Sequence, residues 1–238
     1  MKKIIYLILL TFLMMACTSN EDEELIDVLK TEGVFIDSRD KHEYKWIKIG
    51  NHTWMAENLA YLPAVSPEII NNTNLPCYYV FGYNGINVNT AKATLNYTTY
   101  GVLYNWKAAL TASPDGWHLP SDDEWKEMEI ALGMTKDQVD YFIDYFNRGS
   151  HQGTQMKTTY GWHNNGNGTN VSGFTGLPGG YRFSNGSYWY IENLGYWWSS
   201  TEISANFAWG RGLGYNSSGV CRNSNHMENG FSVRCIKD

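Results

Sequence analysis

Charge is scarce in this chain. Only 18% of its 238 residues are Asp, Glu, Lys or Arg, against about 25% in an ordinary soluble domain. Positive charge is the scarcer sign, with 18 Lys and Arg against 24 Asp and Glu and a formal net charge of -6. A nucleic-acid binder needs a basic face, so this balance argues against that class. Long apolar runs are also lacking. Ile4 to Met15, broken by Thr11, is about 12 residues long, too short for a permanent membrane-spanning helix. No repeat of fixed period appears, which argues against a propeller or solenoid. Catalytic patterns are missing too. Ser199-Ser200-Thr201 is no Gly-x-Ser-x-Gly elbow. The six histidines show no metal-ligand spacing, and Asp122, Asp123 and Glu124 are adjacent rather than a facing acid/base pair.

What is abundant is 23 Gly, 10 Trp and 17 Tyr. With 43% hydrophobic and 15% aromatic residues the chain can bury a core, and it is not a disordered tail. The length fits one large domain, or one domain with appendages. The composition points to a loop-rich fold whose surface is aromatic and amide rather than charged.

The amino terminus reads as a sorting signal over residues 1–16. Lys2 and Lys3 precede the apolar stretch, and Leu13-Met14-Met15-Ala16-Cys17 resembles a bacterial lipobox. Cys17 is the expected lipidation site, which would anchor the mature chain to a membrane. Removal of 1–16 takes two lysines and no acid, so the net charge becomes 16 − 24 = −8. Glu21 to Glu24 form an acidic run that anionic headgroups would repel; residues 17–32 therefore read as an extended tether. An acidic run at this place resembles the export signal of Bacteroidetes surface lipoproteins, which implies an outer-membrane, cell-surface location. Three cysteines remain, Cys77, Cys221 and Cys235, and an exported protein tends to oxidise them. Three is odd. Cys221–Cys235 is the favoured disulfide, both lying in strand-like segments, and would leave Cys77 buried and free; a bridge from Cys77 to either is the alternative.

From Gly33 onward the pattern predicts strands at 34–36, 44–49 and 53–55, the last two joined at Gly50-Asn51. Residues 61–99 read as an irregular excursion with a strand near 77–81. Helices follow. One is expected over 102–110. Another opens at Ser121, where Glu124 completes a capping box, and closes at Gly133. A third opens at Thr135 with Gln138, carries Val139, Phe142, Ile143 and Phe146 on one face, and closes at Gly149. Sixteen of the 23 glycines lie beyond residue 148, a region of short strands and long loops.

Several phrases in order carry a family resemblance. They include Thr53-Trp54-Met55-Ala56-Glu57-Asn58-Leu59, Gly101-Val102-Leu103-Tyr104-Asn105-Trp106 and Gly116-Trp117-His118-Leu119-Pro120-Ser121-Asp122-Asp123-Glu124-Trp125. Leu177-Pro178-Gly179-Gly180-Tyr181-Arg182, Tyr196-Trp197-Trp198-Ser199-Ser200-Thr201-Glu202 and Gly230-Phe231-Ser232-Val233-Arg234-Cys235 complete them. Together they resemble the Fibrobacter succinogenes major paralogous domain of surface lipoproteins, from about Asp37 to the C-terminus, which sets the domain at residues 33–238. The resemblance implies an α+β fold similar to the C-type lectin-like fold of formylglycine-generating enzymes. Those enzymes bind copper through two close cysteines. Here only Cys221 lies in a comparable stretch, and a lone thiol cannot supply that site. No Glu-Pro-Asn or Trp-Asn-Asp run supports a calcium lectin site. No metal, no cofactor and no catalytic residue is expected.

The remaining candidates are loop aromatics and amides that could stack on and hydrogen-bond a glycan. They are Trp162, His163 and Asn164, then Tyr188, Trp189 and Tyr190, and then Arg211, Tyr215 and Asn216. Trp197, Trp198 and Trp209 are assigned to the core and His118 to a structural hydrogen bond. The sequence reads as a non-catalytic surface lipoprotein that binds a glycan or a protein partner. A structural subunit of a surface complex, or a degenerate enzyme, are its alternatives.

Overall fold

The computed structural model describes residues 31–67 and 75–238. The expected leader, Cys17 and the acidic run lie outside the described residues. The described part, Glu32–Asp238, forms one unit. Its first half runs β1 (Glu32–Ile36), β2 (Glu43–Ile49), β3 (His52–Met55), β4 (Tyr78–Tyr79), α1 (Val88–Lys92), α2 (Leu95–Tyr100), β5 (Leu103–Tyr104), α3 (Trp106–Ala109) and β6 (Trp117–His118). Then come α4 (Asp122–Ala131), α5 (Lys136–Asp140), β7 (Ile143–Arg148), α6 (Gln152–Met156), β8 (Gly179–Arg182) and β9 (Tyr188–Ile191). The chain ends with β10 (Leu194–Ser204), β11 (Phe207–Gly214), β12 (Val220–His226) and β13 (Ile236–Lys237). The fold is α+β. One sheet has the order β1-β2-β3-β13-β6, a second β7-β12-β11-β10-β8-β9, and β4 and β5 form a small third.

Two large aromatic cores and a small third cluster around Cys77, Tyr79 and Leu103 fill the described residues. Tyr44, Trp106, Trp198 and Phe231 belong to one, and Trp54, Trp125, Phe174 and Trp197 to the other. The segment before β13 joins the sheets by backbone hydrogen bonds. Tyr104, Trp198, Leu59 and Met55 donate their N–H groups to the carbonyls of Phe231, Ser232, Val233 and Cys235. Pairing of this kind satisfies buried backbone groups that would otherwise be costly.

The first hairpin forms as expected, with β2 and β3 in register from Trp46↔Met55 to Ile49↔His52. The Ser121 capping box is present, and Gly133 follows the helix at φ 99°, a conformation in which a side chain is strained. Two expected helices are shortened. Over 102–110 the chain makes β5 and then one turn of helix, because the Asn105 side chain accepts from the Ala108 and Cys77 N–H groups and starts the helix late. After Thr135 the capping box forms, but Tyr141 is already extended and the chain continues as β7. β7 pairs with β12 through Arg148↔Val220 and Ile143↔Arg222. Sheet pairing here overrides the helical spacing of 139–146.

The disulfide expectation is corrected. Cys221 stands on β12 opposite Gly212 in the second sheet. Cys235 lies beside the first sheet with its Sγ 3.3 Å from Ser113 Oγ. No bridge joins them or Cys77, and all three are buried. Burial pushes the Cys235 thiol up to about 12.

Candidate functional site

The expected loop residues divide into two groups. Trp162 is only 4% exposed and sits in the second core. Its Nε1 donates to Thr158 Oγ1 at 3.0 Å and to the Gly176 carbonyl. Arg211 is fully buried. Its Nη1 lies 2.8 Å from Asp122 Oδ1 and its Nε 2.7 Å from Glu129 Oε1. Arg222 pairs with the other Asp122 oxygen and Arg148 with Glu129. Neither Trp162 nor Arg211 can meet a ligand; both are corrected to structural roles. A buried charge needs this full set of partners, and the sequence showed only a scattered set of charged residues.

The other residues converge. The turn Tyr190–Asn193, closed by Asn193 N–H to the Tyr190 carbonyl, begins within the end of β9. His163 N–H donates to the Glu192 carbonyl at 2.8 Å and Tyr215 N–H to the Asn193 carbonyl at 2.9 Å. The His163 and Tyr215 rings stand edge to face with centroids 5.2 Å apart. His163 and Asn164 belong to one exposed 3-10 turn, and Asn216 is exposed beside Tyr215. Thus three separate sequence segments meet around one turn.

The hairpin β8–β9 supplies the aromatic part. It is the edge of the second sheet. Tyr181 pairs with Trp189 and Arg182 with Tyr188. Trp189 is 49% and Tyr190 51% exposed. Tyr190 stacks on Tyr181 at 6.0 Å and tilts against Trp189 at 5.9 Å. Phe183, also exposed, lies 6.4 Å from Tyr181. The Trp189 indole N–H donates to Ser187 Oγ at 2.6 Å, which fixes the ring. Tyr188 instead turns inward, its hydroxyl donating to the Tyr83 carbonyl and its ring against Phe81. Burial, helped by Tyr190, raises the Tyr181 phenol above its ordinary value, so it remains a protonated donor at neutral pH.

Backbone strain concentrates here. Seven non-glycine described residues have positive φ, and Asn164, Asn165, Tyr190 and Glu192 are four of them. Asparagine takes this conformation readily, whereas Tyr190 and Glu192 each carry a cost of about 1–3 kcal/mol, a pattern found at ligand sites. Gly180 lies opposite Tyr190 at φ 64°; a Cβ there would come within 2.5 Å of the Trp189 carbonyl. A larger residue would push the hairpin away.

The sequence reading missed Tyr181 and Phe183. Asn185-Gly186 between Phe183 and Tyr188 was the available signal, since Asn-Gly marks a tight hairpin. A hairpin there puts the aromatics on either side of it together.

The family model described as Fibrobacter succinogenes major domain matches residues 47–237. The chain belongs to this family. No curated protein and no solved structure matches it. The motifs of this Fibrobacter succinogenes major domain have visible structural work. In Gly116 to Trp125, Trp117 and Trp125 enter the two cores. His118 sits between Asp238 at 2.6 Å and Glu124 at 2.9 Å, and Asp122 holds two arginines. The copper site of the resembled enzymes does not fit these residues. Cys221 is buried against Gly212 without a neighbouring cysteine on its strand. Among the described residues no group of three His, Cys, Asp or Glu could hold a metal ion, and no helix is long and apolar enough to cross a membrane.

Proposed function

We propose that this Fibrobacter succinogenes major domain is a non-catalytic glycan-binding module. In this reading it is carried outside the cell by a lipid on Cys17, facing out from the outer membrane, and has a C-type lectin-like fold. The observation that carries the proposal is the pair of half-exposed rings Trp189 and Tyr190, backed by the partly buried Tyr181, beside His163 and Tyr215. Sugars offer CH faces to such rings and hydroxyls to amides, and Asn164 and Asn216 are exposed nearby. Glu192 is the only carboxylate in these segments, which suits an uncharged glycan. The ring positions are held before binding, which limits the ordering cost that weakens association.

The non-catalytic part draws support from the carboxylates of helix α4 and its motif. Asp122 and Glu129 are occupied by arginines, and Glu124 by His118 and the Ser121 cap. The test is binding of the purified protein to a glycan array and to mucin. A neutral glycan should be retained, and Trp189→Ala should weaken it at least tenfold. Uniform silence on both surfaces would count decisively against this reading. Cleavage of a tagged protein by external protease on intact cells tests the location.

A further inference from the structure

A cleft against the first sheet shares no lining residue with the aromatic hairpin. Two cavities of about 380 and 530 Å³ open side by side. Both are lined by Lys45 of β2, Ala56 after β3, and Thr175. Each volume falls in the range of small-ligand sites, about 300–1,000 Å³. His42, Glu57, Tyr97, Tyr100 and Tyr160 are among the other residues that line the smaller one. Among the described residues, neither the Lys45 ammonium nor the Glu57 carboxylate hydrogen-bonds or ion-pairs with any protein group. Opposite charges without a contacting partner among the described residues, in one cleft, are notable in a chain with so few charges.

The floor adds a buried cation. Asn58 lines the cleft, and its Oδ1 accepts from Arg234 Nε at 2.9 Å. Arg234 Nη2 donates to the Thr175 carbonyl at 2.8 Å, and Nη1 to the carbonyls of Met55 and Phe174. Arg234 is fully buried, and all these partners are neutral oxygens. No described carboxylate touches it; Glu57 is the acid that acts on it through space. Buried charge without a contacting counter-charge is costly to the fold. It also leaves positive potential one layer beneath the cleft floor.

Thr175 is the third sign. It is β-branched yet sits at φ 56°, a conformation that is a genuine outlier for such a residue. Arg234 holds its carbonyl, while Asn170, itself at φ 52°, accepts from its N–H at 2.7 Å. The strain therefore lies between the two cavities and is locked by the same arginine.

We propose that this cleft binds a carboxylate-bearing sugar, a site separate from the aromatic hairpin. Its carboxylate sits on Lys45, above Arg234. Its hydroxyls donate to Glu57, and its ring lies against Tyr160, which is exposed at the rim. Glu32, which pairs with Ile47 two positions along β2 from Lys45, also lines the larger cavity, so the acid group belongs on Lys45 and away from Glu32. The ring-stacking and hydroxyl-accepting groups select a sugar over a peptide carboxylate.

The test is calorimetric titration of the purified protein with trigalacturonate and with its methyl ester. Trigalacturonate should bind, the ester at least tenfold more weakly. Lys45→Met should cost at least tenfold for the acid and leave the thermal midpoint unchanged, since Lys45 is exposed. Trp189→Ala should leave this affinity unaltered, which separates the cleft from the hairpin. Equal affinity for acid and ester, indifference to Lys45→Met, absence of binding at millimolar sugar, or preference for a short acidic peptide would each overturn the proposal.

Discussion

Arg211 Nη1 lies 2.8 Å from Asp122 Oδ1, tying β11 to the first turn of α4. The same arginine reaches Glu129, about two turns further along the same face of the helix. Burial alone would raise the Asp122 carboxyl, but hydrogen bonds and charge from Arg222 and Arg211 more than offset it and hold it well below the usual carboxylate range. Its contribution is therefore present above the unfolded value of about 3.9 and is lost as pH falls below it. Arg211→Ala should lower stability by about 3–5 kcal/mol, because it leaves two buried carboxylates short of a partner. Urea denaturation at pH 7 reads this. A loss under 1 kcal/mol would return Arg211 to the list of ligand candidates.

Trp162 and Trp189 give opposite expectations. Trp162→Ala removes a core ring and two indole hydrogen bonds, at a cost of about 3–5 kcal/mol. Trp189→Ala removes a half-exposed ring, and its effect should stay within about 0.5 kcal/mol. Thermal melts of the two variants distinguish them. Any loss of binding in Trp162→Ala should accompany unfolding, whereas in Trp189→Ala it should occur in a folded protein.

The contrast marks what the sequence could tell. Local signals were legible: the hairpin turn at Gly50, the caps at Ser121 and Thr135, and the aromatic segment 188–190. Long-range ones were not. Ile143 to Phe146 kept a helical spacing yet pair with β12, since strand partners lie 70 or more residues away. Trp162 and Tyr190 both stand in polar, glycine-rich text, and only the fold decides which is covered. The Lys45 cleft depends on Arg234 and Thr175, distant in sequence, and no spacing rule joins them. The family phrases supplied core residues such as Trp117 and Trp125. They also supplied site residues, Tyr181 at the hairpin and Glu57, Asn58 and Arg234 at the cleft, and nothing in their wording separates the two.

His118 stands between Glu124 and Asp238. Burial would lower its pKa, but the two carboxylate partners raise it above 6.5. A raised folded value means that its stabilisation is complete below the unfolded pKa and disappears as pH rises through the folded one. The ring is 41% exposed, so solvent screening keeps the effect below about 1 kcal/mol. The melting difference between the wild type and His118→Gln should be larger at pH 6 than at pH 9. A difference independent of pH would show that the clamp is not ionic.

The cysteines should behave as buried thiols. Cys235 is shielded and its thiol pushed up to about 12, so thiolate is scarce at neutral pH. A maleimide added to the folded protein should label Cys77, Cys221 and Cys235 slowly, and added in denaturant without reductant should label all three at once. A non-reducing peptide map containing a Cys221–Cys235 bridge would contradict the arrangement.

Tyr190 tests whether strain serves binding. At φ 60° its backbone suits glycine. Tyr190→Gly relieves that strain but loosens the unfolded chain and removes a ring stacked on Tyr181. The opposing effects should leave stability within about 1 kcal/mol of the wild type. Glycan retention, in contrast, should fall at least tenfold, because the ring that the strained turn presents is gone. If the variant instead loses several kcal/mol, Tyr190 is a packing residue, and the hairpin loses its claim to be a binding surface.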